Sequence, residues 1–325
     1  MLRVLTFVAI SVCITFGIAL VLIVSDRPGK ALDRTKGLDF STTMDREVAP
    51  LPTQEAALRD GTTTLVRHLE GPDGGPLVVL VHGSGWDGGQ FDLLARGLSW
   101  QADVLVPDLR GHGASPARRG DVDYVGQMED DLADLIAAYK RFQDQEVVLL
   151  GHSSGGGLVI RFAGGDHGAL MDRAVLMAPF VQYDAPMTRE NSGGWAQVLT
   201  RRVVGLSMLN MARITALDHL TMIEFAMPQA VLDGPEGHRA TTAYSWRLNK
   251  GFAPRRDWQA DVAALPEFLL IAGAEDEAFV AEGYEPAFAG LTGQGRYVVA
   301  PEVGHLDVVD DPRSLTAIME FLSRE

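Results

Sequence analysis

The stretch that decides the fold is residues 147–157, which read V-V-L-L-G-H-S-S-G-G-G. Four apolar residues at its start predict a short strand that is buried on both faces. A G-x-S-x-G motif follows at residues 151–155, and apolar residues with helical spacing follow the motif. A serine on a sharp strand-to-helix turn is lifted clear of the sheet, and the free amides of the new helix point toward it. The pattern therefore predicts that Ser153 is a nucleophile.

The composition limits the classes of protein that this chain can belong to. Its 325 residues, 46% of them hydrophobic, suffice for one large α/β domain with an insertion. The net charge of −15 argues against nucleic acid as a partner, because an acidic surface repels phosphate. The single cysteine, Cys13, excludes a disulfide framework and a thiolate metal cluster. No histidine spacing suggests a metal site, and we expect no cofactor.

Residues 4–24 contain no charged side chain and are rich in Val, Ile, Leu and Phe. A helix of about 20 such residues crosses the hydrocarbon core of a bilayer, and no convincing cleavage site follows. Residues 1–25 are therefore predicted to be an uncleaved N-terminal transmembrane helix, and residues 26–52 a polar linker. Basic residues on both sides leave the orientation open by the charge rule. Because a lone anchor with a short tail usually exports the domain attached to it, we expect a periplasmic or otherwise extracytoplasmic catalytic domain.

From residue 53 onward, predicted strands and helices alternate, which favours a mostly parallel central sheet flanked by helices. Asp60-Gly61 predicts a hairpin, Asp123 the N-cap of a helix, and Asp311-Pro312 the start of the last helix. Further strands are predicted at residues 77–81, 104–106, 174–177, 268–271 and 297–299. A long interruption divides this pattern into a first core part, a helical cap insertion and a second core part, at residues 53–180, 181–260 and 261–325.

Short motifs follow the predicted strands in a distinctive order. They are H-G-S-G, D-L-R-G-H-G-A-S, G-H-S-S-G, G-A-E-D and V-G-H, at residues 82–85, 108–115, 151–155, 273–276 and 303–305. Together they resemble the α/β-hydrolase superfamily, and most closely its lysophospholipase and monoacylglycerol-lipase-like serine hydrolases. The resemblance covers residues 54–180 and 261–325 and implies the α/β-hydrolase fold.

The resemblance also implies roles for particular residues. In this superfamily the nucleophile is followed along the chain by the acid and then the histidine. His305 is then the general base and Asp276 the acid that orients it, with Asp184 as the alternative acid and Glu275 and Glu277 as solvated neighbours. The backbone N–H groups of two serines are expected to form the oxyanion hole. These are Ser84 and Ser154.

The function implied is a serine hydrolase that cleaves a small apolar carboxylic ester, such as a monoacylglycerol or lysophospholipid, through an acyl-enzyme. Methionines and aromatic residues in the cap fit either an adaptable apolar pocket or plain packing of the cap on the core. Two alternatives remain open: an aminopeptidase of the proline-iminopeptidase type, and a ligand receptor on a hydrolase fold with little turnover. The sequence leaves the oligomeric state unknown.

Overall fold

The computed structural model describes residues 1–29, 32–35, 37–41, 44 and 48–323. The strands are β1 (Gln54–Ala57), β2 (Thr63–Leu69), β3 (Leu77–Val81), β4 (Asp103–Pro107), β5 (Val147–His152), β6 (Arg173–Met177), β7 (Ala196–Val198), β8 (Thr221–Phe225), β9 (Ala243–Ser245), β10 (Glu267–Gly273) and β11 (Gly295–Ala300). The α-helices are α1 (Leu2–Ser25), α2 (Asp92–Leu98), α3 (Gln127–Tyr139), α4 (Ser154–Ala163), α5 (Thr200–Met211), α6 (Gln229–Leu232), α7 (Trp246–Phe252), α8 (Trp258–Ala263), α9 (Tyr284–Ala289) and α10 (Pro312–Leu322).

The central sheet has eight strands in the order β1-β2-β4-β3-β5-β6-β10-β11. β1 and β2 form an antiparallel hairpin around Asp60-Gly61, where Gly61 takes a positive φ of 79°. From β4 to β11 all neighbouring strands run parallel. β3, β4, β5 and β6 are buried along their whole length, as expected for strands covered by helices on both faces. The structure confirms the predicted mostly parallel sheet.

The insertion differs in part from the helical cap that the sequence predicts. It contains α5, α6 and α7, but also a three-stranded antiparallel sheet in the order β7-β8-β9. These strands are only three to five residues long, so they show too little alternation to be detected in the sequence. The helix α8 crosses the predicted boundary at residue 260.

Two helix starts illustrate where local signals succeed and fail. Asp311 accepts a hydrogen bond from the backbone N–H of Arg313, and Pro312 occupies the first turn, so α10 begins where the sequence predicts. The prediction that Asp123 caps a helix is wrong. α3 begins at Gln127, and the carboxylate of Asp123 pairs instead with Arg118.

The described residues of the linker pack against the body of the protein. The ring of Phe40 lies 5.7 Å from that of Trp195 in the cap. The backbone N–H of Asp39 donates to Glu277 at 3.0 Å, and Leu38 packs against the core. Residues 38–40 therefore lie against both the cap and the loop that follows β10.

Candidate active site

Ser153 occupies the sharp turn between β5 and α4. Its backbone is strained, with φ 54° and ψ −122°, a conformation that L-residues rarely adopt. The surrounding glycines make the turn possible: a Cβ at Gly151 would collide with the carbonyl of Gly155, and a Cβ at Gly155 with that of Val81. The local structure is the strand–turn–helix that the G-x-S-x-G motif predicts.

Three side chains from separate loops form one hydrogen-bonded chain. The Oγ of Ser153 lies 3.0 Å from Nε2 of His305, and Nδ1 of His305 lies 2.8 Å from Oδ2 of Asp276. The other carboxylate oxygen accepts hydrogen bonds from the backbone N–H groups of Ala278 and Phe279 at 2.7 and 2.8 Å. The structure thus brings together the three residues to which the sequence analysis assigns nucleophile, base and acid.

The surroundings of Asp276 keep its carboxyl group ionised although it is only 1% exposed. Burial by itself would raise its pKa, but the adjacent His305 and the two backbone donors together outweigh burial and lower the pKa. An ionised carboxylate accepts only, so Nδ1 of His305 carries the proton of this pair. Nε2 is then left as an acceptor for the hydroxyl of Ser153, which is the arrangement that a general base needs.

The alternative acid, Asp184, does not belong to this chain of hydrogen bonds. It is exposed and pairs with Arg256 at 3.0 Å on the surface. Another downstream histidine, His167, pairs with Asp130 at 2.6 Å beside α3.

The residues expected to form an oxyanion hole lie beside the nucleophile. A Cβ at Gly83 would stand 3.1 Å from the Cβ of Ser153, so the loop that carries Ser84 borders the serine directly. The Ser84 side chain accepts a hydrogen bond from the indole of Trp195 at 3.3 Å. Ser154 is the first residue of α4 and directly follows the nucleophile candidate, so its backbone N–H has no intrahelical acceptor.

His152 links the histidine loop to the rest of the site through hydrogen bonds. The sequence did not indicate this role, because a histidine inside a turn motif is most simply interpreted as a packing residue. Its Nε2 donates to the carbonyl oxygen of His305 at 3.0 Å, and its Nδ1 accepts from Gln90. The carbonyl of the same glutamine accepts from the N–H of Gly83 at 3.2 Å. Burial, together with the neighbouring His305, lowers the pKa of His152 to about 3, so the ring stays neutral.

Tyr244 in the cap holds the loop after β3, which carries Gly83 and Ser84. Its hydroxyl accepts from the backbone N–H of Gly85 at 2.9 Å and donates to Nε2 of His112 at 2.6 Å. Nδ1 of that histidine donates to the carbonyl of Arg110, which assigns the tautomer. Burial raises the pKa of Tyr244 and lowers that of His112, so both groups remain neutral.

Glu277 differs from the solvated neighbour that the sequence analysis expects. One of its carboxylate oxygens accepts from the backbone N–H of His305 at 2.9 Å, and the other accepts from that of Asp39 at 3.0 Å. It therefore joins the histidine loop to the linker.

A cavity of about 300 Å³ opens above Ser153. Linker, cap and core all contribute apolar side chains to its wall: Leu38, Phe40, Met44, Trp86, Met227, Val231, Leu306 and Val309. Among the cap methionines noted in the sequence, Met227 lines this cavity, whereas Met187 and Met222 are buried in the hydrophobic core. The apolar residues inside the otherwise polar linker were the signal that could have identified its contribution.

Over the described part of the chain, no group of three His, Cys, Asp or Glu side chains is arranged to hold a metal ion. A serine hydroxyl next to a histidine acceptor nitrogen, beside an apolar cavity, is an arrangement that can carry out acyl transfer by side chains.

Comparison with known proteins agrees with this architecture. Residues 75–310 match the family model described as serine aminopeptidase, S33, and the chain belongs to that family. It has the α/β-hydrolase fold and is a hydrolase of the α/β type. An uncharacterized protein of Mycobacterium tuberculosis is 32% identical over 104 residues, which cover 32% of this chain and 29% of the relative.

Two solved structures illustrate the range of similar folds. A thermophilic esterase from Thermogutta terrifontis is 24% identical, with a TM-score of 0.56 over 83% of this chain and 98% of the esterase. A membrane phospholipase A described as a bacterial virulence factor is 16% identical, with a TM-score of 0.58 over 99% of this chain and 98% of the phospholipase. At these identities the likeness shows the fold alone.

Proposed function

We propose that this protein is a membrane-anchored serine hydrolase that cleaves carboxylic esters with an apolar acyl group, of the lysophospholipid or monoacylglycerol type. The observation that carries the proposal is the hydrogen-bonded chain of Ser153, His305 and Asp276, whose serine lines an apolar cavity. The esterase and the phospholipase among the similar folds are consistent with it.

The mechanism follows from the geometry. Ser153 Oγ attacks the ester carbonyl while His305 Nε2 takes its proton, and Asp276 stabilises the imidazolium that forms. The N–H groups of Ser84 and Ser154 hold the oxyanion, and donors of this kind each lower the barrier by about 2.7–4 kcal/mol. The imidazolium then protonates the departing alcohol, which leaves an acyl-enzyme. Water, deprotonated by the same imidazole, attacks the acyl carbonyl, and the proton returns to Ser153 as the acid departs.

We infer the substrate class from the residues that line the cavity. Its apolar residues come from three separate parts of the chain, so an acyl group bound above Ser153 would be enclosed by hydrocarbon. A volume of about 300 Å³ lies at the lower end of the range for small-molecule sites. This favours a single acyl chain over a bulkier substrate.

The experiment that tests the proposal combines fluorophosphonate labelling with a chain-length series of nitrophenyl esters on the full-length protein. We expect labelling of Ser153 and a rate that rises with acyl length before it levels off. Ser153→Ala should abolish both, with a loss of about 10⁶ in kcat. Labelling without turnover in a single-turnover assay would favour a receptor on a hydrolase fold, and a variant that keeps more than a tenth of the activity would exclude Ser153.

The family name supports an aminopeptidase as the second candidate. Such an enzyme needs a carboxylate available for the substrate's amino group. Glu236 lines the cavity, but it pairs with Arg239 at 2.9 Å. Aminoacyl naphthylamides assayed beside the nitrophenyl esters separate the two functions: we expect the esters to be cleaved faster by at least tenfold, and the reverse order would establish the peptidase.

The anchor is the remaining part of the proposal. α1 is long and apolar enough to cross a membrane. We place the catalytic domain outside the cytoplasm because a lone anchor with a short tail usually exports the domain attached to it. Alkaline phosphatase fused after residue 50 should be active. An inactive phosphatase, with fluorescence from a reporter that lights only in the cytoplasm, would reverse the orientation.

A further inference from the structure

We propose that the cap helix α5 is a membrane-contact surface that lies in the headgroup region of an anionic bilayer beside α1. This inference rests on the anchor of the proposed function and goes beyond it, because it gives part of the cap a lipid partner. Three observations carry it: the close packing of α5 on α1, the depth that this packing imposes, and the chemistry of the exposed side of α5.

The packing between α1 and α5 is close and specific. A Cβ at Gly205 would stand 2.6 Å from the carbonyl oxygen of Ala19, so the two helices touch at backbone distance. The Arg202 side chain donates to the carbonyl of Ile23 at 3.3 Å, and the backbone N–H of Arg201 donates to Asp26 at 3.0 Å. The position of α5 relative to a membrane is therefore fixed by that of α1.

That position is set by the length of the apolar run. Residues 4–24 extend for about 30 Å as a helix at about 1.5 Å per residue, which matches the hydrocarbon core of a bilayer. All of residues 4–24 are therefore needed to cross the hydrocarbon core. Phe16, Ala19 and Ile23 belong to its second half, and they pack against the body of the protein. The cap helix beside them must then lie at the boundary between hydrocarbon and headgroups.

The exposed side of α5 suits that boundary. Val204 and Met211 lie seven residues apart, on the same side of the helix, and are 45% and 87% exposed, while Met208 between them is partly buried against the core. Residues 199–217 contain three arginines and no acidic residue, although the chain has a net charge of −15. Arg201 and Arg213 are exposed near the two ends of α5. Apolar side chains between arginines are the pattern of a helix that lies in an anionic membrane surface.

The test uses single cysteines that carry a bimane fluorophore in full-length protein, with Cys13 replaced by serine. The protein is placed in vesicles of phosphatidylcholine and phosphatidylglycerol that contain acyl-chain spin-labelled lipid. Met211→Cys and Val204→Cys report on α5, and Ile10→Cys reports on α1. Trp100→Cys is the matched control, since Trp100 is 82% exposed and lies just before the amino end of β4, whereas the cap is inserted after the carboxyl end of β6. Circular dichroism checks that each variant is folded.

We expect the spin label to quench positions 204 and 211 at least about threefold more than position 100. Quenching at position 10 alone would overturn the inference and leave the anchor intact. No quenching at any position would overturn both. Concentration-dependent self-quenching at 211 without lipid quenching would mean that a second copy covers α5, which also overturns it. Ester hydrolysis is measured on the same samples, so quenching without hydrolysis would contradict the proposed enzyme and not the surface.

Discussion

Two aspartates follow parallel strands of the central sheet, Asp184 after β6 and Asp276 after β10. Asp184 is exposed and forms an ion pair with Arg256 in solvent, where such a pair contributes little to stability. Asp276 is buried, accepts two backbone hydrogen bonds and meets the imidazole of His305. The difference shows what turns a carboxylate into an orienting group: its neighbours must hold the charge in place once water has been removed.

Neutralising each aspartate in turn tests whether the two carboxylates differ in this way. Asp276→Asn should lower kcat by about 10⁴, because the amide favours the wrong tautomer of His305. Asp184→Asn, the matched control, should leave the rate unchanged within about a factor of two, because it removes only a surface pair. Both are measured as hydrolysis of one nitrophenyl ester. A severe loss at 184 with a mild loss at 276 would move the acid to the loop after β6.

Two tyrosines show the same contrast between a buried and an exposed position: Tyr244 is bonded to the loop after β3, and Tyr183 is exposed next to Asp184. Tyr244→Phe removes the acceptor of the Gly85 N–H and the donor to His112. We expect kcat to fall by roughly 10- to 100-fold with little change in KM, because a lost buried hydrogen bond of about 1–3 kcal/mol would loosen the proposed oxyanion loop. Tyr183→Phe, next to Asp184 and 68% exposed, is the control. Equal effects of the two changes, or a Tyr244 effect confined to KM, would argue against this role.

His152 is buried like Asp276, but its burial keeps it uncharged, whereas the neighbours of Asp276 keep that carboxylate charged. His152 stays neutral in the folded protein because its pKa is lowered to about 3, whereas an unfolded histidine titrates near about 6.5. At pH values between about 3 and about 6.5, His152 is therefore protonated in the unfolded state and neutral in the folded state. The free energy of unfolding therefore decreases as the pH falls, by up to about 1.4 kcal/mol per pH unit for this residue.

Urea unfolding of the wild type and of His152→Gln at pH 4.5, 5.5 and 6.5 measures this contribution. The variant should show a shallower dependence on pH, since His82 and His112 contribute alike to both proteins. Parallel curves for the two proteins would show that His152 is protonated in the folded state.

The smallest expected effect concerns the linker. Phe40 lines the cavity and lies against Trp195. Phe40→Ala should raise KM for long-chain esters by about three- to tenfold, because an acyl chain loses apolar surface, and should leave short esters nearly unchanged. Leu170→Ala, an exposed leucine outside the cavity lining, is the control. A uniform effect on all chain lengths would show that Phe40 supports the fold and not the acyl site.

The sequence alone determined the features that depend on neighbouring residues. The turn at Ser153, the apolar strands β3, β5 and β6, the start of α10 and the long apolar helix α1 each follow from a few consecutive side chains. These features depend on glycines that lack a side chain, on uninterrupted apolar runs and on a capping aspartate. Each acts over only a few neighbouring residues, so it can be recognised in the sequence without a structure. The wrong prediction at Asp123 shows the limit of such signals: this capping residue lies four positions before Gln127, where the helix begins, and its carboxylate pairs with Arg118.

The tertiary structure alone decided what depends on distant partners. Whether Asp184 or Asp276 meets the histidine, that Glu277 binds the backbone of His305, and that the linker borders the cavity all depend on contacts between residues far apart in sequence. The short strands of the cap sheet belong to the same class, since they are stabilised by each other and not by their own patterns. The physical reason is that burial and hydrogen bonding act through space: only the folded chain defines which groups leave water together, and so which of them carry a charge, hold a proton or line a pocket.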